Sequence, residues 1–260
     1  MTVQCYSFDV FDTCLVRDVA VPSDLFLVVA ERLAATLEPQ LGPDYQQIFL
    51  DSRRKAEEQA RRVSASEDVT LTEIWEWLAG MVPELDPQAG MAAEINAELA
   101  ALGPNRAILD QVRRLDAKGA RVVFVSDMYL PAQTIRAALV AAGFPATEDN
   151  IYVSSGIGAT KMRSGALFRH VFEREGVSAA HMVHYGANPH SDARMARRAG
   201  IRAHHIAATQ LTRIECALLA APPPRDVLFV SRLVGQMRLF RLDGPQDGDT
   251  SARDFTAALS

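Results

Sequence analysis

Five short runs of β-forming residues constrain the fold of this chain more than any other feature of its sequence. The first run covers residues 4–8, and four more follow much later, at 121–126, 151–155, 182–185 and 201–206. Stretches with helical periodicity separate the later runs. Because strands and helices alternate along the chain, we expect an α/β protein with a doubly wound, mainly parallel, Rossmann-like sheet. The helices of this part are predicted at about 105–118, 132–142, 164–175, 192–199 and 209–219.

Residues 23–102 interrupt the alternation, because they contain several helical patterns and no convincing strand. Ser23 is positioned to cap a first helix, Thr70 and Glu73 form a capping-box pattern, and Pro87 opens a further helix. We therefore expect an all-helical unit inserted after the first strand.

The sequence thus divides into three parts. Residues 1–22 and 103–222 form the predicted core, and residues 23–102 form the predicted helical cap. Residues 223–260 form a C-terminal tail, which begins in a proline-rich run and ends in a polar, glycine-containing stretch. We expect this tail to be partly disordered.

Charge and cysteine usage narrow the class of protein. The net charge is −5, and the inserted unit carries six Lys and Arg against fifteen Asp and Glu, which argues against a nucleic-acid partner. We find neither a signal peptide nor a membrane-spanning run, so no membrane association is expected. The chain has three cysteines without metal-type or disulfide-type spacing, which is typical of the reducing cytoplasm.

Polar side chains gather where the predicted strands end. In open parallel sheets ligands bind at the carboxyl ends of the strands, so these positions indicate the functional site. A nucleophilic carboxylate, hydroxyl groups, an ammonium group and further carboxylates at one edge suit nucleophilic displacement on an anionic substrate. The residues concerned are Asp9, Asp12, Thr13, Ser126, Asp127, Lys161, Asn188, Ser191 and Asp192.

Four of these segments together resemble the ordered motifs of the haloacid dehalogenase superfamily. They read SFDVFDTCL (7–15), VFVSDMYLP (123–131), SSGIGATKMRSGALF (154–168) and HYGANPHSD (184–192). The resemblance spans residues 4–206, with the helical insertion at the place of the superfamily's cap. The FDVFDT and SDMYLP runs are similar to a bacterial branch of uncharacterised predicted hydrolases.

The resemblance implies a role for each matching residue. Asp9 matches the nucleophile and Lys161 the lysine that neutralises the transferred group, while the neighbouring Asp12 is a candidate substitute acid. The implied magnesium ligands are Asp9, the Phe11 carbonyl and Asp192. The implied substrate-binding residues of the core are Thr13, Ser126, Asp127 and Asn188.

Two positions depart from the pattern of the superfamily phosphatases. Phe11 stands where they carry a general acid, and Ala187 stands where related sequences have a magnesium-ligating aspartate. The resemblance therefore implies a weakened magnesium site. A histidine ligand from His184 or His190 is an alternative replacement, although loop histidines are more often only solvated.

Arg53, Glu57 and Arg61 recur at spacings of four residues, so they share one face of a predicted helix. One interpretation is a row of solvent-exposed ion pairs. The other is that this face closes over the site, in which case Arg53 or Arg61 binds an anionic substrate group.

The sequence therefore predicts a hydrolase that acts through Asp9 on a small phosphorylated metabolite, with a degenerate magnesium site. A metal-independent dehalogenase-like hydrolase is the first alternative, because haloacid dehalogenases also lack both missing acids. The second is an inactive member that binds a phosphate-like ligand or a partner protein.

Overall fold

A five-stranded parallel sheet forms the centre of the computed structural model, which describes residues 4–221 and 226–244. The order of the strands is β5-β4-β1-β6-β7. Every neighbouring pair is parallel, which confirms the predicted α/β class. The strands are β1 (Cys5–Phe8), β4 (Arg121–Ser126), β5 (Ile151–Val153), β6 (Met182–Gly186) and β7 (Arg202–His205).

The four strands other than the edge strand β7 are largely buried, because their side chains alternate between two apolar clusters. On β4, Val122 and Phe124 belong to one cluster, whereas Val123 and Val125 belong to the other. This two-sided burial explains why the strands read as nearly continuous apolar runs. The predicted strands are correct to within about two residues; the run at 151–155 ends early because helix α8 begins at Ser154.

Twelve α-helices surround the sheet or form the insertion in the described part of the chain. Residues of the insertion lie in α1 (Leu25–Arg32), α2 (Ala34–Leu41), α3 (Tyr45–Val63), α4 (Leu71–Met81) and α5 (Pro87–Ala101). The others are α6 (Arg106–Ala117), α7 (Ala132–Ala141), α8 (Ser154–Ile157), α9 (Ala166–Glu175), α10 (Ala196–Arg198), α11 (Arg213–Ala220) and α12 (Val227–Asp243).

The predicted helix starts of the insertion agree with the structure at two of three places. Thr70 and Glu73 form the capping box of α4, and Pro87 is the first residue of α5. Ser23 does not cap α1. It lies inside a 3₁₀ turn that Pro22 opens, so the α-helix begins two residues later.

A short antiparallel strand pair joins the insertion to the sheet. Strand β2 (Leu15–Arg17) follows the end of β1 and pairs with β3 (Leu102–Pro104), so the two ends of the insertion lie side by side. A buried ion pair at 2.6 Å between Arg17 and Glu98 strengthens this junction. One apolar cluster runs through insertion and core, including Trp75 and Phe124. The division of the chain into a cap domain and a core domain stays a prediction.

Helix α12 lies within the predicted tail and was not anticipated from the sequence. Its Ser231 hydroxyl accepts hydrogen bonds from the backbone N–H groups of Ala20 and Val21, at 3.1 and 3.2 Å. A Cβ atom at Gly235 would lie 2.2 Å from the Asp18 backbone, so only glycine allows this approach. The helix therefore packs on the segment after β2. The remaining tail positions, for which disorder was expected, lie outside the described residues.

Two further observations concern membrane-spanning helices and the cysteines. Among the described helices, none is both long enough and apolar enough to cross a membrane. Cys5, Cys14 and Cys216 are all free thiols.

Candidate active site

A cavity of about 340 Å³ opens at the carboxyl edge of the parallel sheet. The ends of β1, β4 and β6 meet there, as the strand alternation predicts. Nine of the predicted site residues line this cavity, and the structure therefore brings most of them together. They are Asp9, Phe11, Asp12, Ser126, Asp127, Lys161, Asn188, Ser191 and Asp192.

Asp9 directly follows β1, and both of its carboxylate oxygens have partners. The Lys161 ammonium donates to Oδ1 at 2.6 Å, and the Thr13 hydroxyl donates to Oδ2 at 2.9 Å. The turn that begins at Val10 brings Thr13 back beneath Asp9, because the backbone N–H groups of Thr13 and Cys14 donate to the Val10 carbonyl. Asp9 is thus a buried carboxylate in a fixed orientation.

Lys161 connects two carboxylates, since its ammonium also donates to Asp192 Oδ1 at 2.7 Å. Burial alone would lower the pKa of Lys161, but the charges of Asp192 and Asp9 outweigh it and raise that pKa. The ammonium therefore stays protonated. Burial and the negative charge of Asp192 together raise the pKa of Asp9 above its usual range, against the opposite effect of Lys161.

His184 lies beneath Asp192 in the interior of the sheet. Its Nδ1 is 2.8 Å from the Ser7 hydroxyl, and its Nε2 is 3.4 Å from Asp192 Oδ1. Burial lowers the pKa of His184, so the imidazole is neutral at physiological pH. The expectation of a solvated side chain is therefore wrong for His184, because it is a fully buried residue of β6. His190, in contrast, is half-buried and lies in the turn after β6.

Asp127 positions the loop that carries Lys161. Its two carboxylate oxygens accept hydrogen bonds from the backbone N–H groups of Lys161 and Met162, at 2.8 and 2.9 Å. From the side of the insertion, Glu67 accepts hydrogen bonds from the backbone and side chain of Thr160. Hydrogen bonds from the core and from the insertion therefore fix the loop that carries Lys161.

Asn188 and Thr13 organise the backbone around Ala187. The Asn188 side-chain oxygen caps the turn that follows by accepting from the N–H groups of His190 and Ser191. This turn, Pro189–Met195, is a π-helix, and only 196–198 continue as α-helix where a longer helix was predicted. The Thr13 hydroxyl accepts from the Ala187 N–H at 2.9 Å.

The two arginines predicted to bind substrate from the insertion do not reach the cavity. Arg53 is fully buried and forms a double salt bridge with Glu94, at 2.7 and 2.9 Å. Arg61 pairs with Glu57 and Asp68. The expectation of substrate binding at Arg53 is therefore wrong, because its guanidinium is already neutralised inside the insertion. The alternative of a row of solvent-exposed ion pairs is also wrong for Arg53, because this side chain is fully buried.

Sequence analysis missed four residues that line the cavity. These are Thr209, Gln210 and Leu211 from the segment after β7, and Arg238 from α12. Helical spacing was the available signal for Arg238, because Ser231, Val234, Gly235, Arg238 and Leu242 recur every three or four residues and are all buried.

The residues present do not fit a magnesium ion in this arrangement. Asp9 Oδ1 and Asp192 Oδ1 both contact Lys161, and Asp192 Oδ2 accepts from the Asn188 N–H at 2.9 Å. Ala187 contributes no side-chain oxygen. Within the described residues, no group of three or more His, Cys, Asp or Glu side chains could hold a metal. Magnesium needs several well-placed oxygens, so the two carboxylates would first have to leave Lys161.

Comparison with known proteins identifies the fold. No family model matches the sequence. No curated protein matches it either. Among solved structures, a defluorinating L-2-haloacid dehalogenase shares 18% identity over 91% of this chain and 95% of its own, with a TM-score of 0.55. A HAD family enzyme of Bacteroides thetaiotaomicron shares 14% identity over 79% of this chain and 94% of its own, with a TM-score of 0.51. The chain has the fold of the haloacid dehalogenase superfamily.

Proposed function

Taking this fold as the starting point, we propose that the chain is a hydrolase in which Asp9 attacks a small phosphorylated metabolite. The observation that carries the proposal is the arrangement of Asp9, Thr13 and Lys161 at the edge of the sheet. Both oxygens of Asp9 are held in place, which supports attack along one direction. An Asp9 oxygen would bond to phosphorus while the bond to the leaving oxygen breaks, and water would then release phosphate.

The other residues of the cavity have supporting roles in this proposal. Lys161 offsets the negative charge shared by Asp9, Asp192 and the transferred group. Ser126 is buried at the end of β4 and lines the cavity, so its hydroxyl is suited to bind a phosphoryl oxygen. Asp12 lines the same cavity and is the candidate proton donor, because Phe11 has no acidic group.

A second candidate reaction is supported by the surroundings of Lys161. The lysine occupies the place between two carboxylates, and Phe11 and Ala187 replace the two acids of a phosphatase. The same nucleophile would then displace halide from the carbon of a small halogenated acid without a metal. One of the similar structures is a dehalogenase. Another, of the Bacteroides enzyme, is a complex with magnesium and inorganic phosphate (14% identity over 78% of this chain and 93% of its own, TM-score 0.50).

A substrate screen with native protein and D9N tests the proposal. Phosphate release from phosphorylated metabolites and halide release from 2-haloacids are measured in parallel, with and without magnesium. We expect phosphate release by the native protein and a loss of roughly 10³-fold or more in D9N, because an amide cannot form the acyl-phosphate. D110N, which changes an exposed aspartate of α6, is the matched control.

Two results would contradict the proposal. Turnover retained in D9N would exclude Asp9 as the nucleophile. Halide release without phosphate release would replace the phosphatase reaction by the dehalogenase reaction and keep Asp9.

A further inference from the structure

Part of the cavity lining comes from the C-terminal part of the chain. Thr209, Gln210 and Leu211 contribute to it, and so does Arg238 of α12. Among the described residues that line the cavity, none comes from the helical insertion at 23–102. A substrate bound at Asp9 therefore shares the cavity with these C-terminal segments.

Arg238 is held firmly along one edge of its guanidinium. Nη2 donates to the backbone carbonyls of Arg17 and Val19, both at 3.1 Å. Ser231 and Gly235 fix the same face of α12 against the segment after β2, so the arginine has little freedom to move away. The residue is only 5% exposed.

The other two nitrogens of the guanidinium are poorly satisfied. Nη1 lies 3.3 Å from Asp12 Oδ1, which is long beside the roughly 2.7–2.9 Å of a charge-assisted hydrogen bond. Nε is buried and has no hydrogen-bond partner among the described residues. Leaving a buried donor unpaired is unfavourable, and an incoming acceptor would relieve it.

Arg238 is also the cation that Asp9 and Asp192 leave unused. Two cationic side chains line the cavity in the described part of the chain, Lys161 and Arg238. Lys161 is already shared by Asp9 and Asp192. Arg238 contacts neither of these, so its charge is available to a second group of the substrate.

We propose that Arg238 binds an anionic group, with a carboxylate as the best fit, on the leaving part of the substrate. Nη2 already donates to two backbone carbonyls, so the carboxylate would accept from Nη1, and the weak contact of Nη1 with Asp12 would be exchanged for a charge-assisted hydrogen bond. This inference rests on the proposed function for the position of the reacting group. It adds that the substrate is a phosphate ester whose leaving group carries a free carboxylate.

Binding of unreactive phosphonates tests the inference without any turnover. Phosphonoacetate, 3-phosphonopropionate and 4-phosphonobutyrate are titrated calorimetrically into the protein, beside alkylphosphonates of equal chain length. Three lengths are used because the carboxylate must span the distance to Arg238. We expect at least one carboxylated member to bind on the order of tenfold more tightly than its alkyl counterpart.

Substitutions in α12 test whether Arg238 causes this preference for the carboxylated phosphonates. R238M should lose it while the affinity for the alkylphosphonates stays the same. R232M, which removes an exposed arginine of α12, should keep it. Should R238M not fold, R238K retains the charge but cannot both hold the Arg17 and Val19 carbonyls and donate to the ligand, so it should reduce the preference several-fold.

Several outcomes overturn the inference. They are equal affinities for the two series, no measurable binding of either, or a preference that survives in R238M or is undiminished in R238K. Failure of the proposed function is a separate result. A protein that binds the carboxylated series through Arg238 but hydrolyses no phosphate ester would contradict only the reaction.

Discussion

The Thr13 hydroxyl joins Asp9 to Ala187, because it donates to the Asp9 carboxylate and accepts from the Ala187 N–H, both at 2.9 Å. His205 Nε2 holds the Ala187 carbonyl at 2.9 Å from the other side. Position 187 therefore has a fixed backbone at the cavity wall.

Because this backbone is fixed, A187D is expected to place a second carboxylate beside Asp9 and create a magnesium site. We expect magnesium affinity to rise by roughly tenfold or more, and phosphatase activity to rise with it. Calorimetric titration of magnesium into native protein and A187D measures the first effect. A187N is the control, since it has the same shape without the charge.

The dehalogenase alternative predicts the reverse for A187D. The added charge would then repel Asp9 and an anionic substrate, so halide release would fall. Tight magnesium binding by the native protein would contradict our interpretation of the site as degenerate.

Replacing Lys161 should expose the repulsion between the two carboxylates that it separates. K161M leaves Asp9 and Asp192 buried without a cation, and we expect a loss of about 3–5 kcal/mol in the free energy of unfolding. Urea unfolding measures this loss, and K118M, at an exposed lysine, should change little.

The destabilisation by K161M should depend on pH in a defined direction. Burial opposes ionisation of Asp192, but Lys161 outweighs it and lowers the pKa of Asp192 below its usual range. The stability from this pair is therefore present at neutral pH and is lost as the pH falls through that lowered pKa. The difference between native protein and K161M should shrink in acid. A difference independent of pH would show that packing, and not charge, is lost.

Glu98 should be essential to the junction between the insertion and the sheet. E98A leaves the buried Arg17 guanidinium without its partner, at a cost of about 3–5 kcal/mol. The double variant R17M/E98A should recover much of this, because no unpaired charge remains. E84A, at an exposed glutamate, is the control for urea unfolding. A double variant no more stable than E98A would contradict the explanation.

The same glycine substitution should have opposite effects at two helical positions. G235A places a Cβ atom against the Asp18 backbone, and we expect a loss of about 1–3 kcal/mol. G80A meets open space on α4 and should stabilise the protein by up to about 1 kcal/mol. Thermal unfolding of both variants checks the signs. A stabilised G235A would show that α12 does not pack closely on Asp18.

The sequence was informative wherever a residue's role depends on its position after a strand. Asp9, Ser126 and Asn188 meet at one edge because parallel strands end on the same side of a sheet. Arg53 could not be assigned in this way, because its burial depends on Glu94, 41 residues away. Arg238 was missed for a similar reason: its partners lie at the other end of the chain.

The contact between Arg238 and Arg17 has a consequence for the order of events during biosynthesis. The two residues are 221 positions apart, so a ribosome must add almost all of the chain between them before the contact can form. Elements made earlier can fold first, since synthesis proceeds at only about 5–20 residues per second. Nascent chains that already contain Asp9 and Lys161 would still lack one wall of the cavity. The cavity would therefore be completed only when α12 emerges from the ribosome and packs against the segment after β2.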